Sequence, residues 1–409
     1  MDTRRKNYTN GFRLTITLKE PVCAETLQRA LERIAPRFPT VIAGIRCGVF
    51  QYRVVPIEMA PRIRMDRECL APMRKDEIKN CAFRVLYHEN SIAAEFFHSL
   101  TDGYGGLVVL TTLVAEYLHQ KHGFSVPTAD MILDADDLPA ENEITDDYLT
   151  FSGRKAATLN HCGVYQLPGS IRQNHSVLTS TEMFAADEIL RAAHYYGVSA
   201  NTFLCGVMMA SIMEIQNRCQ TEKKYIKPVQ VMVPVNLRRL FPSQTLRNFS
   251  LFALSRTEPQ DSGKTFEELL HDINKQLTSQ ITSDNMAAIM ATHTKAARFP
   301  LYRIMPLPLK WLILRLAHQI YGEGNSCISL SNLGVVSLPK VMQEHIEGID
   351  FILTPRIKSP YNCGVVSFDG ILSISFSRLC LDPELENVFL KKLKHEVQIA
   401  SPSNKRKEA

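Results

Sequence analysis

The sequence holds a single tryptophan, Trp311, in 409 residues, and its 10 cysteines include no C-x-x-C pair. Scattered cysteines exclude the common zinc and dithiol motifs, so no metal ligand set is expected. Reduced, buried thiols of a cytoplasmic protein are expected instead. No apolar segment follows the polar start Met1 to Asn7, so no secretory signal is read. The greasiest stretch, Met305 to Tyr321, is interrupted by Lys310 and Arg315 and opens on Pro306 and Pro308. That suits an amphipathic helix better than a transmembrane segment. Charge of one sign is also missing. The chain has 47 Lys and Arg against 42 Asp and Glu, a net +5. With no basic cluster and no interleaving of basic and aromatic residues, nucleic-acid binding is not expected. The slight positive balance can attract a phosphorylated cofactor or an acidic carrier protein. Residues 123 to 160, with an acidic run from Asp134 to Asp147 that lacks the alternating ligands, central Gly and closing Glu of an EF-hand calcium loop, read as a solvated linker or surface excursion between halves.

What is present is an ordinary globular composition, 45% hydrophobic and 22% charged. At this length two domains, or two fused half-domains, are expected rather than one core. Phe12, Leu14, Ile16 and Leu18 alternate as a half-buried strand does, and Leu27, Leu31 and Ile34 then mark one face of a helix. Two short strands, Phe83 to Tyr87 and Ser91 to Phe97, lead to His98, and an apolar helix runs from about Leu107 to Leu118. A second half opens similarly. A strand from Ser176 is followed by a helix ending at Gly197, and Ser199 can cap a very apolar helix. Strands are read at Pro228 to Val235, Phe249 to Leu254 and Ser326 to Leu330. Asp369-Gly370 supplies a hairpin turn within Val365 to Phe376, and Asp382-Pro383 opens the last helix. The expected class is α/β, as α+β two-layer sandwiches, with halves at 1–160 and 161–409 and a cleft between them.

His98 stands where an apolar strand meets a Gly-bearing turn, four residues before Asp102 and followed by Gly103 and the pair Gly105-Gly106. One reading is a cleft-facing base. The other is a buried histidine satisfied by local backbone, with Asp102 capping the next helix. The residues alone leave both open.

His-x-x-x-Asp-Gly between an apolar strand and an apolar helix resembles the active-site motif of the chloramphenicol-acetyltransferase-like superfamily. That superfamily holds peptide-synthetase condensation domains, plant alcohol acyltransferases and microbial alcohol acetyltransferases. Three further stretches resemble its blocks in the right order: Arg37-Phe38-Pro39-Thr40; Pro234 to Arg239 continuing to Thr245-Leu246-Arg247-Asn248-Phe249; and Leu330-Ser331-Asn332-Leu333-Gly334. The resemblance is nearest to bacterial alcohol acetyltransferase-like proteins. There are two departures. Phe97 replaces the first of the two histidines usual in condensation domains, which leans toward a free-standing acyltransferase. The plant Asp-Phe-Gly-Trp-Gly motif is missing, and Arg247 to Ser250 stands near its place.

The resemblance implies two half-domains with an active-site tunnel between them. It implies His98 as the general base of acyl transfer from a thioester to an alcohol or amine, with no bound cofactor. The donor would be acyl-CoA or an acyl group on a carrier protein, and the protein a cytoplasmic monomer. A catalytically silent binding module of the same fold is the alternative. Asp102 is implied to pair with an arginine and hold the loop, with Arg46 and Arg84 as candidates. Gly103 would let the chain turn tightly. Asn248, Ser331 and Asn332 are candidates for oxyanion or substrate contacts, and Leu307 to Tyr321 for an acyl channel or lid.

Overall fold

The computed structural model describes residues 10–153, 163–171, 176–219, 226–313, 326–357 and 359–401. Thirteen strands are found among them: β1 Gly11–Leu18, β2 Ala43–Cys47, β3 Tyr52–Pro56, β4 Arg64–Met65, β5 Phe83–His88, β6 Ser91–Phe97, β7 Leu178–Ala185, β8 Val229–Asn236, β9 Ser250–Thr257, β10 Ile328–Val336, β11 Ile346–Leu353, β12 Tyr361–Phe368 and β13 Ile371–Arg378. They form two large sheets, in the orders β11-β1-β6-β5-β4 and β7-β13-β12-β10-β8-β9, and a small hairpin β2-β3. The class is the mixed helix-and-sheet arrangement expected, in two lobes.

The first sheet is built on the alternation read in β1. Phe12, Leu14 and Ile16 are fully buried under the helices Ala24–Ile34 and Gly103–His122. Phe12 faces Phe96 in register, with ring centroids 5.0 Å apart. The opposite face of this sheet is ionic. Glu95 lies between Arg13 and Arg84, Arg84 also holds Glu77, and Arg13 holds Asp66. The second core gathers under the helices Ala200–Cys219, Phe266–Gln280 and Glu384–Ile399.

β11 pairs antiparallel with β1 along its whole length, so the first sheet takes its edge strand from late in the chain. No strand is anticipated there from the sequence pattern. β11 also joins the lobes. Asn362 Nδ2 donates to the carbonyl of Thr354 at 2.8 Å, and Ser377 Oγ to that of Leu353 at 2.5 Å. A side chain at Gly364 would sit 2.0 Å from the Phe351 carbonyl, so glycine is needed where the sheets approach.

Local signals are reproduced at several boundaries. Gly197 follows the helix Ala186–Tyr195 at φ 65°, while the helix read from Leu107 to Leu118 is longer, Gly103–His122, and ends on Gly123 at φ 79°. Ser199 Oγ accepts from the amide of Thr202 at 3.1 Å. Asp369 and Gly370 both take positive φ in the β12-β13 turn, as a two-residue type I′ hairpin requires. Two expectations change. β10 continues through Ser331 to Gly334, with a bulge after Asn332, instead of ending there. In the stretch from Met305, residues 307–313 are helical with Trp311, Leu312 and Ile313 turned toward solvent, and 314–325 fall outside the described residues. No single helix among the described residues is long and apolar enough to cross a membrane.

Candidate active site

β6 delivers His98 at its end. The last rung to β1 joins Gly11 and Phe97, and the His98 amide then donates to the Asn10 carbonyl at 2.9 Å. Phe97, the residue before His98, is buried in a small cluster with Met73, Ile78 and Leu100. His98 is half-buried, its ring edge-on to Phe12 at 5.2 Å. Burial penalises the imidazolium and holds the pKa below the ordinary histidine value. Hydrogen bonds to the carbonyls of His98 itself and Thr101, and the charge of Asp102, oppose that shift without reversing it.

Asp102 caps the helix Gly103–His122. Its Oδ1 accepts from the Gly105 amide at 3.1 Å. Its Oδ2 accepts from the Phe249 amide and from Arg238 Nη1, each at 2.7 Å. The arginine partner is therefore Arg238, and the candidates Arg46 and Arg84 are corrected. Arg84 is drawn into the ionic face with Glu77 and Glu95. Arg46 is exposed on β2 opposite Arg53. Arg238 is fully engaged. Nε and Nη2 donate to the Thr245 carbonyl at 2.8 and 2.6 Å, Nη2 donates to the Arg247 carbonyl at 2.7 Å, and the guanidinium lies 4.8 Å from the Tyr104 ring centre. It belongs to the block Pro234 to Arg239 that carries the family resemblance, which is the signal that could have singled it out.

The segment 245–249 is thereby clamped on the motif turn. Thr101 Oγ1 donates to the Leu246 carbonyl at 2.7 Å, and Asn248 Nδ2 donates to the His98 carbonyl at 2.8 Å. The same Asn248 nitrogen lies 3.2 Å from His98 Nδ1, and Ser250 Oγ donates to Asn248 Oδ1 at 2.8 Å. Arg37 reaches this region indirectly. It forks onto Glu143 at 2.5 and 2.8 Å, and the Glu143 carbonyl accepts the Leu246 amide at 2.8 Å.

Of the three candidate substrate-contact residues, Asn248 touches His98. Ser331 and Asn332 approach the motif through their neighbour, since a side chain at Gly103 would lie 2.4 Å from Leu333 Cδ2. Asn332 Oδ1 accepts the Gly334 amide at 2.8 Å, with Gly334 at φ 82°. The reason for Gly103 is likewise corrected. Its φ is not in the left-handed region, so what the position needs is small size against Leu333 and not a tight turn. Two surface cavities, of about 470 and 260 Å³, lie elsewhere and are not lined by His98.

No family model and no curated protein sequence matches the chain. Solved structures do. The trichothecene 15-O-acetyltransferase of Fusarium sporotrichioides superposes with a TM-score of 0.60 at 10% identity, covering 96% of this chain and 91% of its own. The first condensation domain of the calcium-dependent antibiotic synthetase, in complex with a substrate analogue, gives 0.58 at 13% identity over 98% and 93%. Polyketide synthase associated protein 5 of Mycobacterium tuberculosis gives 0.57 at 14% identity over 96% and 94%.

Proposed function

The chain has the chloramphenicol acetyltransferase-like fold, and from that premise we propose that it transfers an acyl group from a thioester to an alcohol or amine, with His98 as general base. One observation carries this reading: His98, at the end of β6 where burial lowers its pKa, is held in place by residues distant in the chain, among them Asn248 and the Asp102–Arg238 pair. In the tautomer that carries its proton on Nδ1, Nε2 is the basic nitrogen. It removes the proton of the acceptor hydroxyl or amine as that atom attacks the thioester carbonyl. The tetrahedral intermediate then collapses, the carbon–sulfur bond breaks, and the imidazolium returns the proton to the leaving thiolate.

Both carboxylate oxygens of Asp102 are occupied by Gly105, Phe249 and Arg238, which supports a positioning role and not a proton relay. Asn248 has its amide nitrogen turned to His98, so it too reads as a positioning residue. Ser331 Oγ and Asn332 Nδ2 remain the oxyanion-donor candidates. The donor we propose is acyl-CoA, used by a monomer in the cytoplasm with no bound cofactor. The likeness to condensation domains keeps a carrier-bound thioester as the second reading.

The test is acceptor-dependent release of free thiol from a panel of acyl-CoAs and carrier thioesters, with alcohols and amines as acceptors. His98→Ala should lower the rate by roughly two to four powers of ten. Wild-type turnover in that variant would overturn the base assignment. No acceptor-dependent release by the folded wild-type protein with either donor class would favour a silent binding module.

A further inference from the structure

Three segments far apart in sequence meet at the end of the first sheet. The helix Gly103–His122 carries Asp102 at one end and His122 at the other, so this cluster lies roughly 30 Å of helix from the motif turn. Glu20 follows β1, and His345 precedes β11. The Lys19 amide donates to the His345 carbonyl at 3.0 Å, which fixes two of the segments against each other.

His122 Nε2 lies 2.5 Å from Glu20 Oε1, and His345 Nδ1 lies 3.7 Å from the same oxygen. All three ligand atoms fall within 4.8 Å of one another. The two imidazole centroids are 4.5 Å apart, and both rings lie on Phe124, at 5.7 and 5.2 Å. Lys121 Nζ sits 3.2 Å from the other carboxylate oxygen, Oε2, and leaves Oε1 to the histidines. A simple ion pair accounts for His122 against Glu20. It does not account for His345, whose Nδ1 turns to the same oxygen while both rings are held side by side on an aromatic face.

We propose that Glu20, His122 and His345 form a site for a divalent transition metal, zinc being the expected ion. Two imidazoles and one carboxylate are a borderline donor set that zinc accepts, at about 2.0–2.2 Å per ligand. Tetrahedral donor atoms at that radius lie about 3.4 Å apart, so His122 and Glu20 must part by about 1 Å to admit the ion, while His345 already stands near its place. Side-chain exposures of 25–34% across the triad leave room for water in the fourth position. Lys121 opposes a second positive charge nearby and moderates the affinity. The ligands come from the end of β1, the end of the motif helix and the entry to β11, so the ion fastens β11 to the first sheet.

The experiment uses the full chain, stripped with a chelator and titrated calorimetrically with Zn²⁺ at neutral pH. Co²⁺ serves as an optical probe. One ion per chain is expected, with visible d–d bands of Co²⁺ and no thiolate charge-transfer band in the near ultraviolet. His122→Ala, His345→Ala and Glu20→Gln should each weaken binding by about tenfold or more. Zn²⁺ should raise the unfolding midpoint of the wild type more than those of the variants at the same concentration. Circular dichroism checks the fold, and Glu20→Gln preserves side-chain volume should a histidine variant misfold. No binding, binding that survives in both histidine variants, or a thiolate band overturns the proposal. So does a pair of histidines that alters stability with pH alone while taking up no metal.

Discussion

Arg238→Ala is the sharpest test of how the motif turn is held. The Asp102 and Arg238 side chains are 5% and 7% exposed, and Arg238 is the cation within contact of that carboxylate among the described residues. Removing one partner of a buried pair costs about 3–5 kcal/mol, because the other charge stays buried without compensation. The same change strips donors from the carbonyls of Thr245 and Arg247, at about 1–3 kcal/mol for a buried group left unpaired. Water entering the vacated space recovers part of this, so a net loss of about 3–5 kcal/mol is expected. The segment 245–249 should loosen with it, releasing Asn248 from His98 and lowering kcat more than it changes KM. Denaturant unfolding and steady-state kinetics read the two effects separately. Arg238→Lys keeps the charge but cannot fork between the carboxylate and two carbonyls, so it should be intermediate in both. In a cycle with Asp102→Ala, the double variant should lose less than the sum of the single losses. Arg238→Ala within about 1 kcal/mol of wild type, with kcat unchanged, would refute the clamp.

Two further outcomes follow from the site. The neutral form of His98 is the base and burial depresses its pKa, so the acid limb of kcat/KM should lie below the ordinary imidazole value of about 6.5. The unfolded chain then takes up this proton at a higher pH than the folded one. The stability contribution is complete above about 6.5 and is lost as pH falls through the window beneath it. Unfolding of wild type and His98→Gln across pH measures that difference, and an acid limb above 6.5 would sink the burial account. The glycines of the motif should also differ. A methyl at Gly103 meets the mobile tip of Leu333, whereas one at Gly105 sits 2.3 Å from Thr101 Oγ1 and 2.4 Å from the Leu246 backbone carbonyl. Gly105→Ala should therefore cost more than Gly103→Ala, by about 1–3 kcal/mol in unfolding free energy. The reverse order would mean that segment 245–249 yields more easily than its hydrogen bonds imply.

Features carried by local periodicity or turn chemistry were legible in the sequence. The alternation in β1, the glycine stop at Gly197, the Ser199 cap and the Asp369-Gly370 hairpin all depend on residues within a few positions of one another. His98 and Asp102 were legible because four residues of spacing hold them on one turn. What escaped depends on long-range pairing. β11 has the mixed pattern Ile-Glu-Gly-Ile-Asp-Phe-Ile-Leu, and its partner β1 lies more than 300 residues earlier. Arg238 is 136 positions from Asp102. Arg84, a candidate partner, is claimed by the ionic face of the sheet. The triad Glu20, His122 and His345 has no spacing signature, since its three ligands come from three separate elements.

The crossing of β11 also bears on the order in which the protein can be made. β1, β5 and β6 have all left the ribosome long before residue 353 is synthesised, and until then β1 exposes a row of unpaired amides and carbonyls on one side. At roughly 5–20 residues per second, the delay from Phe97 to Leu353 is about 13–50 s. Through that interval the nascent first lobe is an open template for another strand, its own or a neighbour's. Chaperone occupancy during translation should therefore concentrate on the span between these two points and fall once β11 has docked.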